Sequence, residues 1–412
     1  MGTLVVAAAT IRAHALNIVL DFSQESLIFA NSTARAAAEA AATDLGAAIT
    51  STLNSINTDV WTGSYQSTTA SFDFQFIYDD PVTSSGEISD ATIAANAVRV
   101  IMRSRALTGQ GALGEGGPYG LAGNVNLSGF PSQAPVAVTN AATKAENAYL
   151  RGGAGPLVST LASDPSSSVW NGVPFPYAID FGVSGGAIWL DADSDNNGVV
   201  DSSATLANYW HYDHTTAVGT NKNDLYSVVL HELMHVLGIG SSETWSSLSS
   251  GDDWLGDEVA TLVGSGANMI VDNHIAYSKM SVRLSDGATQ EASMDPNLTR
   301  GQRKELTLLD LAFLRDIGWD TVTPIPSFNP ADFNQDGQVD DLDFAVWQSA
   351  WTENGLADAN GDGKSDGSDF LAWQRALGAG GSSLVATTTI PEPAAGALAA
   401  LAAFALYFGR RC

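Results

Sequence analysis

The chain reads as an α+β fold over residues 16–322, followed by a small all-α unit over residues 330–380. Three observations carry that reading. Short strand-like segments alternate with alanine-rich helical stretches through the first part. An apolar helix around residues 225–237 carries His231 and His235. Beyond residue 330, an acidic loop followed by an apolar helix occurs twice, 26 residues apart.

Taken in order, residues 1–15 are apolar and end on Ala13, His14 and Ala15, a small-x-small cleavage pattern. They are expected to be a signal peptide whose basic start is missing, with a buried N-terminal strand as the alternative. Residues 16–22 suit a strand in either case. An alanine-rich helix is expected over 33–55, an alternating strand over 71–78, a helix over 90–106 and another over 140–150. The glycine- and proline-dense stretch 107–135 reads as loop. Residues 185–190 read as a strand shortly before the histidine helix. Next comes an acidic loop in which Asp193, Asp195, Asn197 and Asp201 fall at positions 1, 3, 5 and 9 of a calcium loop, with Gly198 at the turn. Position 12 is Ala204, which offers no oxygen.

Composition bounds the function. With 18 basic and 45 acidic residues the formal charge is −27, which argues against nucleic-acid binding and adhesion to anionic lipid. Solubility outside a cell and calcium binding are the uses left for that acid. Cys412 is the one cysteine, so there is no internal disulfide, and no cysteine is present to block a metal from an N-terminal propeptide.

The chemistry concentrates at His231-Glu232-Leu233-Met234-His235, followed by Gly238. Four residues apart on a helix, both imidazoles face one side and can share a zinc ion, with Glu232 placed to take a proton from water activated by the metal. Asn223 and Asp224 can start the helix and Gly238 can end it. A catalytic zinc needs a third protein ligand. A histidine at position 241 would complete the short form of the motif, but Ser241 stands there. His14 lies in the leader, and His211 and His214 are ordinary polar positions ahead of the motif. His274 is the favoured third ligand, with Glu243, Asp257 and Glu291 as alternatives. Further on, Ser293, Met294, Asp295 and Pro296 precede a helix capped by Thr307, running through Asp316 and stopped by Gly318.

Residues 225–319 resemble metzincin-like zinc metalloproteases. The likeness rests on the HExxHxxG motif and a methionine turn, with an insertion before the third histidine as in leishmanolysin-type enzymes. The resemblance implies a mixed sheet with an active-site helix, and zinc on His231, His235 and His274. It also implies Glu232 as general base, Met294 as the floor, an edge strand near 185–190 that pairs with substrate, and hydrolysis of protein or peptide. Tyr277 is a speculative oxyanion partner, packing being its ordinary role.

Residues 323–329 are a proline-bearing linker. In the first repeat Asp332, Asn334, Asp336, Asp340 and Asp343 occupy calcium-loop positions 1, 3, 5, 9 and 12; in the second Asp358, Asn360, Asp362, Asp366 and Asp369 do. The pair resembles a type I dockerin, which implies two calcium ions and a cohesin-type partner. A linker over 381–389 leads to a tail, 390–412. There Pro391, Glu392 and Pro393 precede a 15-residue apolar run, 394–408, and then Arg410 and Arg411. That tail resembles the PEP-CTERM sorting signal of exported bacterial proteins. It implies membrane contact through the tail alone, an exosortase-type processing peptidase, and an outward-facing protein at the cell envelope or beyond. The leading expectation is an exported zinc endopeptidase. The rival is a non-catalytic surface adhesion or scaffold protein whose zinc helix is structural or degenerate.

Overall fold

A computed structural model describes residues 15–322 apart from 59, 79–85, 89–91, 108–110 and 165, and then 331, 333, 339–351, 357, 359 and 364–377. Residues 1–14 of the expected signal peptide (1–15), the expected linkers and sorting tail, and Asp332, Asn334, Asp336, Asp358, Asn360 and Asp362 lie outside the described residues. The chain divides into two units, 1–324 and 325–412.

The first unit begins β1 (Asn17–Asp21), α1 (Ser32–Ala48), β2 (Val60–Tyr65), β3 (Thr68–Tyr78), β4 (Gly86–Ile88), β5 (Ala97–Arg105), β6 (Gly114–Pro118), β7 (Gly120–Ser128), α2 (Ala134–Tyr149) and β8 (Leu157–Ala162). A short hairpin, β9 (Val169–Trp170) and β10 (Val173–Pro174), leads to β11 (Ala178–Gly182), which pairs with β8, and then to β12 (Gly185–Asp191). One sheet has the order β1-β5-β12-β6. Its first three strands are parallel, and β6 runs antiparallel along the edge. Every residue of β12 is buried, as a strand covered on both faces requires. In a second, antiparallel sheet β3 pairs with β2, β4 and β7. Phe72, Phe74 and Phe76 project alternately into the core from β3, where Phe74 and Phe76 meet Tyr149 of α2 edge-on.

The second half of the unit follows: α3 (Ser203–Tyr209), then β13 (Trp210–His211) paired with β14 (Asn223–Asp224), and α4 (Leu225–Val236). The alanine face of α1, with Ala34, Ala37, Ala38 and Ala41 fully buried, packs on α4. Side chains this small let two helices approach closely. After α4 come α5 (Glu243–Leu248), the hairpin β15 (Ser249–Ser250) and β16 (Asp253–Trp254), and α6 (Asp257–Val263). Two further hairpins, β17 (Ile270–Val271) with β18 (His274–Ile275) and β19 (Met280–Val282) with β20 (Thr289–Glu291), precede α7 (Leu308–Asp316).

Five expectations are corrected. Residues 97–105 form the strand β5 and not a helix, because the β-branched Val98, Val100 and Ile101 in a parallel sheet outweigh a helical reading of the same run. The stretch expected as loop holds β6, built mostly of glycine and so without the side-chain alternation by which strands are recognised, and β7, in which only Asn124–Ser128 alternate. The expected edge strand near 185–190 is interior, and β6 is the edge. The helix expected over 33–55 ends at Ala48, and the one expected over 140–150 already begins at Ala134.

In the second unit α8 (Asp341–Ala350) and α9 (Gly367–Ala376) pack together around Phe344, Phe370 and Trp373. Each is opened by a capping box, Asp340 with Asp343 and Asp366 with Asp369. The indole of Trp347 donates to the Asp366 carbonyl at 2.9 Å and that of Trp373 to the Asp340 carbonyl at 2.9 Å, so the sequence repeat becomes a reciprocal pair of contacts.

Candidate metal centre

Helix α4 is fixed at both ends. The Asp224 carboxylate accepts from the backbone and hydroxyl of Ser227 and is paired with Arg303 through two bonds, at 3.0 and 2.7 Å. At the other end Gly238 takes φ +106° and the Ile239 N–H donates to the Met234 carbonyl, closing a Schellman cap. Between the caps only His231 and His235 keep partial exposure.

The third imidazole arrives from far along the chain. Val271 and His274 pair across a hairpin whose two turn residues, Asp272 and Asn273, have φ of +44° and +65°. That is the left-handed pair a two-residue hairpin turn demands, and Asp and Asn tolerate it. It brings the Nε2 of His274 to 3.2 Å from that of His235. Ligand atoms of His231, His235 and His274 all lie within 4.8 Å of one another.

The second nitrogen of each ring decides what the cluster can do. Nδ1 of His231 meets the Ser293 carbonyl at 2.8 Å, that of His235 the Ile239 carbonyl at 2.7 Å, and that of His274 the Asp272 carbonyl at 2.6 Å. A carbonyl only accepts, so each Nδ1 carries the proton and each neutral ring offers a bare Nε2. Burial, and then the charges of His235 and His274, hold His231 well below the usual histidine range. Burial and His274 bring His235 down to about 4, and burial lowers His274. Three neutral rings with converging lone pairs repel one another unless a cation sits among them. The donor set suits a first-row dication that favours imidazole.

Glu232 is buried beside them, its carboxyl pushed up to about 8 by burial and then by the charge of Glu115. The edge strand β6 lies directly against it. A Cβ on Gly114 would fall 2.7 Å from Glu232 Oε1, and one on Gly116 2.7 Å from the Glu232 carbonyl. These glycines were missed in the sequence; the only signal was their spacing, on either side of Glu115. A cleft of about 900 Å³ opens between β6 and residues 296–298, lined by the three histidines and Glu232, with half-exposed Tyr277 also on its wall.

Met294 is fully buried, and its neighbours bind the site together: the Met294 N–H donates to Asp310 and the Met294 carbonyl accepts from the Ile275 N–H. The alternative ligands are engaged elsewhere. Glu243 accepts from Ser159 and Thr160, Glu291 pairs with Lys304, and Asp257 lies in the first turn of α6. His211 contacts Thr216, and neither His211 nor His214 lines the cleft. Asp193, Asp195 and Asp201 gather with their carboxylate oxygens within 4.8 Å of one another, while Asp193 accepts from the backbone of Asn197 and Gly198, and Asp201 from Ser194.

In the second unit the carboxylates of Asp343 and Asp369, position 12 of each loop, are wholly buried, and Asp340 and Asp366 cap the following helices. Duplicated acidic loops joined to short helices define a calcium-binding docking module. Residues 330–378 match the model of the dockerin type I domain. Domains of this type bind calcium, pair with cohesin partners and occur in extracellular or cell-surface proteins. No curated protein and no solved structure matches the chain.

Proposed function

We propose that the first unit is a zinc endopeptidase of metzincin type, carried by an exported protein whose dockerin module holds two calcium ions. One observation carries the reading. Three histidines with their Nδ1 protons committed to carbonyls turn bare Nε2 atoms toward a common point, beside a buried glutamate, in an open cleft. A zinc ion on His231, His235 and His274 supplies Lewis acidity toward water and a peptide carbonyl. The charge of a dication on the three histidines would offset the burial that raises the Glu232 carboxyl, so that Glu232, ionised, would take the proton from the attacking water and pass it to the leaving amine, and the site would end the turnover as it began. The β6 glycines keep the wall against Glu232 free of side chains.

Export belongs to the same proposal, with residues 390–412 as a sorting tail cut by an exosortase-type peptidase and a cohesin-type protein as partner. Among the described residues no helix is long and apolar enough to cross a membrane, and the tail lies outside them.

The test is zinc content and hydrolysis of casein and a peptide library by the full chain, with calcium present, for wild type and Glu232→Gln. The reading expects one zinc in both proteins and a 10²–10⁴-fold loss of rate in the variant. Zinc in both with no cleavage by wild type would hand the site to the scaffold reading.

A further inference from the structure

His274 stands 39 positions beyond His235 on a strand of two residues, and nothing in α4 fixes its place. Its turn residues Asp272 and Asn273 set the hairpin's own geometry, but only Ser278, beyond it at φ +56°, holds a conformation that its surroundings must impose. Besides the Ile275 N–H bond to the Met294 carbonyl, two contacts fix the hairpin against the rest of the unit. At the tip, Gly240 (φ +72°) lies so close that a Cβ there would sit 2.2 Å from the Asn273 carbonyl. At the exit, the Ser278 N–H donates to Asp295 Oδ2 at 2.6 Å. Asp295 is itself held: it is 3% exposed, accepts from the Asn297 N–H at 2.8 Å, and lies 3.7 Å from the buried Lys304 ammonium.

Both contacts come from the loops that already orient the other two histidines. Gly240 follows Ile239, whose carbonyl takes the His235 proton, and Asp295 follows the turn whose Ser293 carbonyl takes the His231 proton. We infer that Gly240 and Asp295 are positioning residues that lock the His274 hairpin to the loops orienting His235 and His231, so that the three-histidine set is assembled by one connected frame. This rests on the zinc reading above. It assigns to the residue after Met294, and to the second glycine after the helix, a role in metal affinity although neither is among the converging ligands.

A double-mutant cycle on the full chain tests it, with Zn²⁺ affinity read by competition with a chromophoric chelator and geometry by the absorption of bound Co²⁺. Asp295→Ala is expected to weaken zinc 10–100-fold and to change the Co²⁺ spectrum, whereas in a His274→Ala background it changes zinc affinity less than threefold. Equal weakening in both backgrounds would mean that Asp295 only stabilises the fold, and would overturn the inference. Should Asp295→Ala fail to fold by circular dichroism, Gly240→Ala takes its place in the same cycle with the same two outcomes. Wild type without zinc affinity would instead remove the metal reading, a result distinct from a failed cycle.

Discussion

Asp310 is the residue on which the turn behind the histidines hangs. Fully buried at the start of α7, its carboxylate accepts from Thr307 N at 2.9 Å, Thr307 Oγ1 at 2.7 Å, Ser293 N at 3.1 Å and Met294 N at 3.1 Å. Asp310→Asn keeps the shape but leaves one acceptor oxygen for four donors and turns an NH₂ toward the rest. Three of the donors share Oδ2 and only Met294 N uses Oδ1, so one buried donor left without an acceptor, at about 1–3 kcal/mol, plus the NH₂ facing it should cost about 2–4 kcal/mol after relaxation. An opposing effect exists. Burial pushes this carboxyl above the usual range against the pull of its donors, so the neutral amide escapes a desolvation penalty. Four donors and no competing carboxylate at the site make the lost bonds the larger effect. In a unit of this size about 2 °C accompanies each kcal/mol, so thermal unfolding of the first unit should fall by roughly 4–8 °C. Calorimetry at pH 7 reads it. An unchanged or higher Tm would refute the reasoning, because desolvation would then outweigh the network.

Gly116→Ala should push β6 off Glu232 and lower kcat/KM at least tenfold with zinc content unchanged, whereas Gly117→Ala, with nothing within 4 Å, should be silent. Equal effects from the two would discount the contact. Partial burial alone would raise the Asp21 carboxyl, but hydrogen bonds from Arg99 and Ser23, and the Arg99 charge, bring it down to about 2. Its folded value being depressed, the stabilisation is present above pH ~4 and lost as pH falls toward 2; Arg99 is 43% exposed, so screening limits it to about 1 kcal/mol or less. Arg99→Met should flatten the unfolding curve between pH 4 and 2, and an unaltered slope there would dismiss the pair. Trp347→Phe and Trp373→Phe each remove one indole bond, about 1 kcal/mol or fivefold in calcium affinity by titration calorimetry; a loss confined to one variant would contradict the symmetry of the two contacts.

What the sequence could reveal follows from where the information resides. Helix α4 was legible because its caps and apolar spacing are local, and the acidic repeats because ligand spacing is local too. Thr307, Asp316 and Gly318 bounded α7 for the same reason. The strand β6 was not legible: its identity lies in backbone bonds to β12, and its glycines are dictated by Glu232, which lies more than a hundred residues on. β5 was misread because alanine and valine on a doubly covered parallel strand lack the alternation that separates strand from helix. His274 was reachable by elimination among six histidines, yet what places it is the Asp272–Asn273 turn, a signal present in the sequence and not used.

For the proposed metal, the choice between a catalytic and a structural role turns on the fourth position. A structural zinc is closed by four protein ligands, and a catalytic one keeps a place open. Among the described residues no further His, Cys, Asp or Glu joins the three histidines. The nearest chain neighbour, Glu232, has its carboxylate against Gly114 and Gly116 of the edge strand. Glycine at both positions leaves that carboxylate its room, and substituting either would force it to move. A scaffold would gain nothing from a buried glutamate kept in that place, since burial raises its proton affinity and costs stability at neutral pH. A hydrolase gains a base whose position is fixed by a strand that carries no side chain at the two points where it passes.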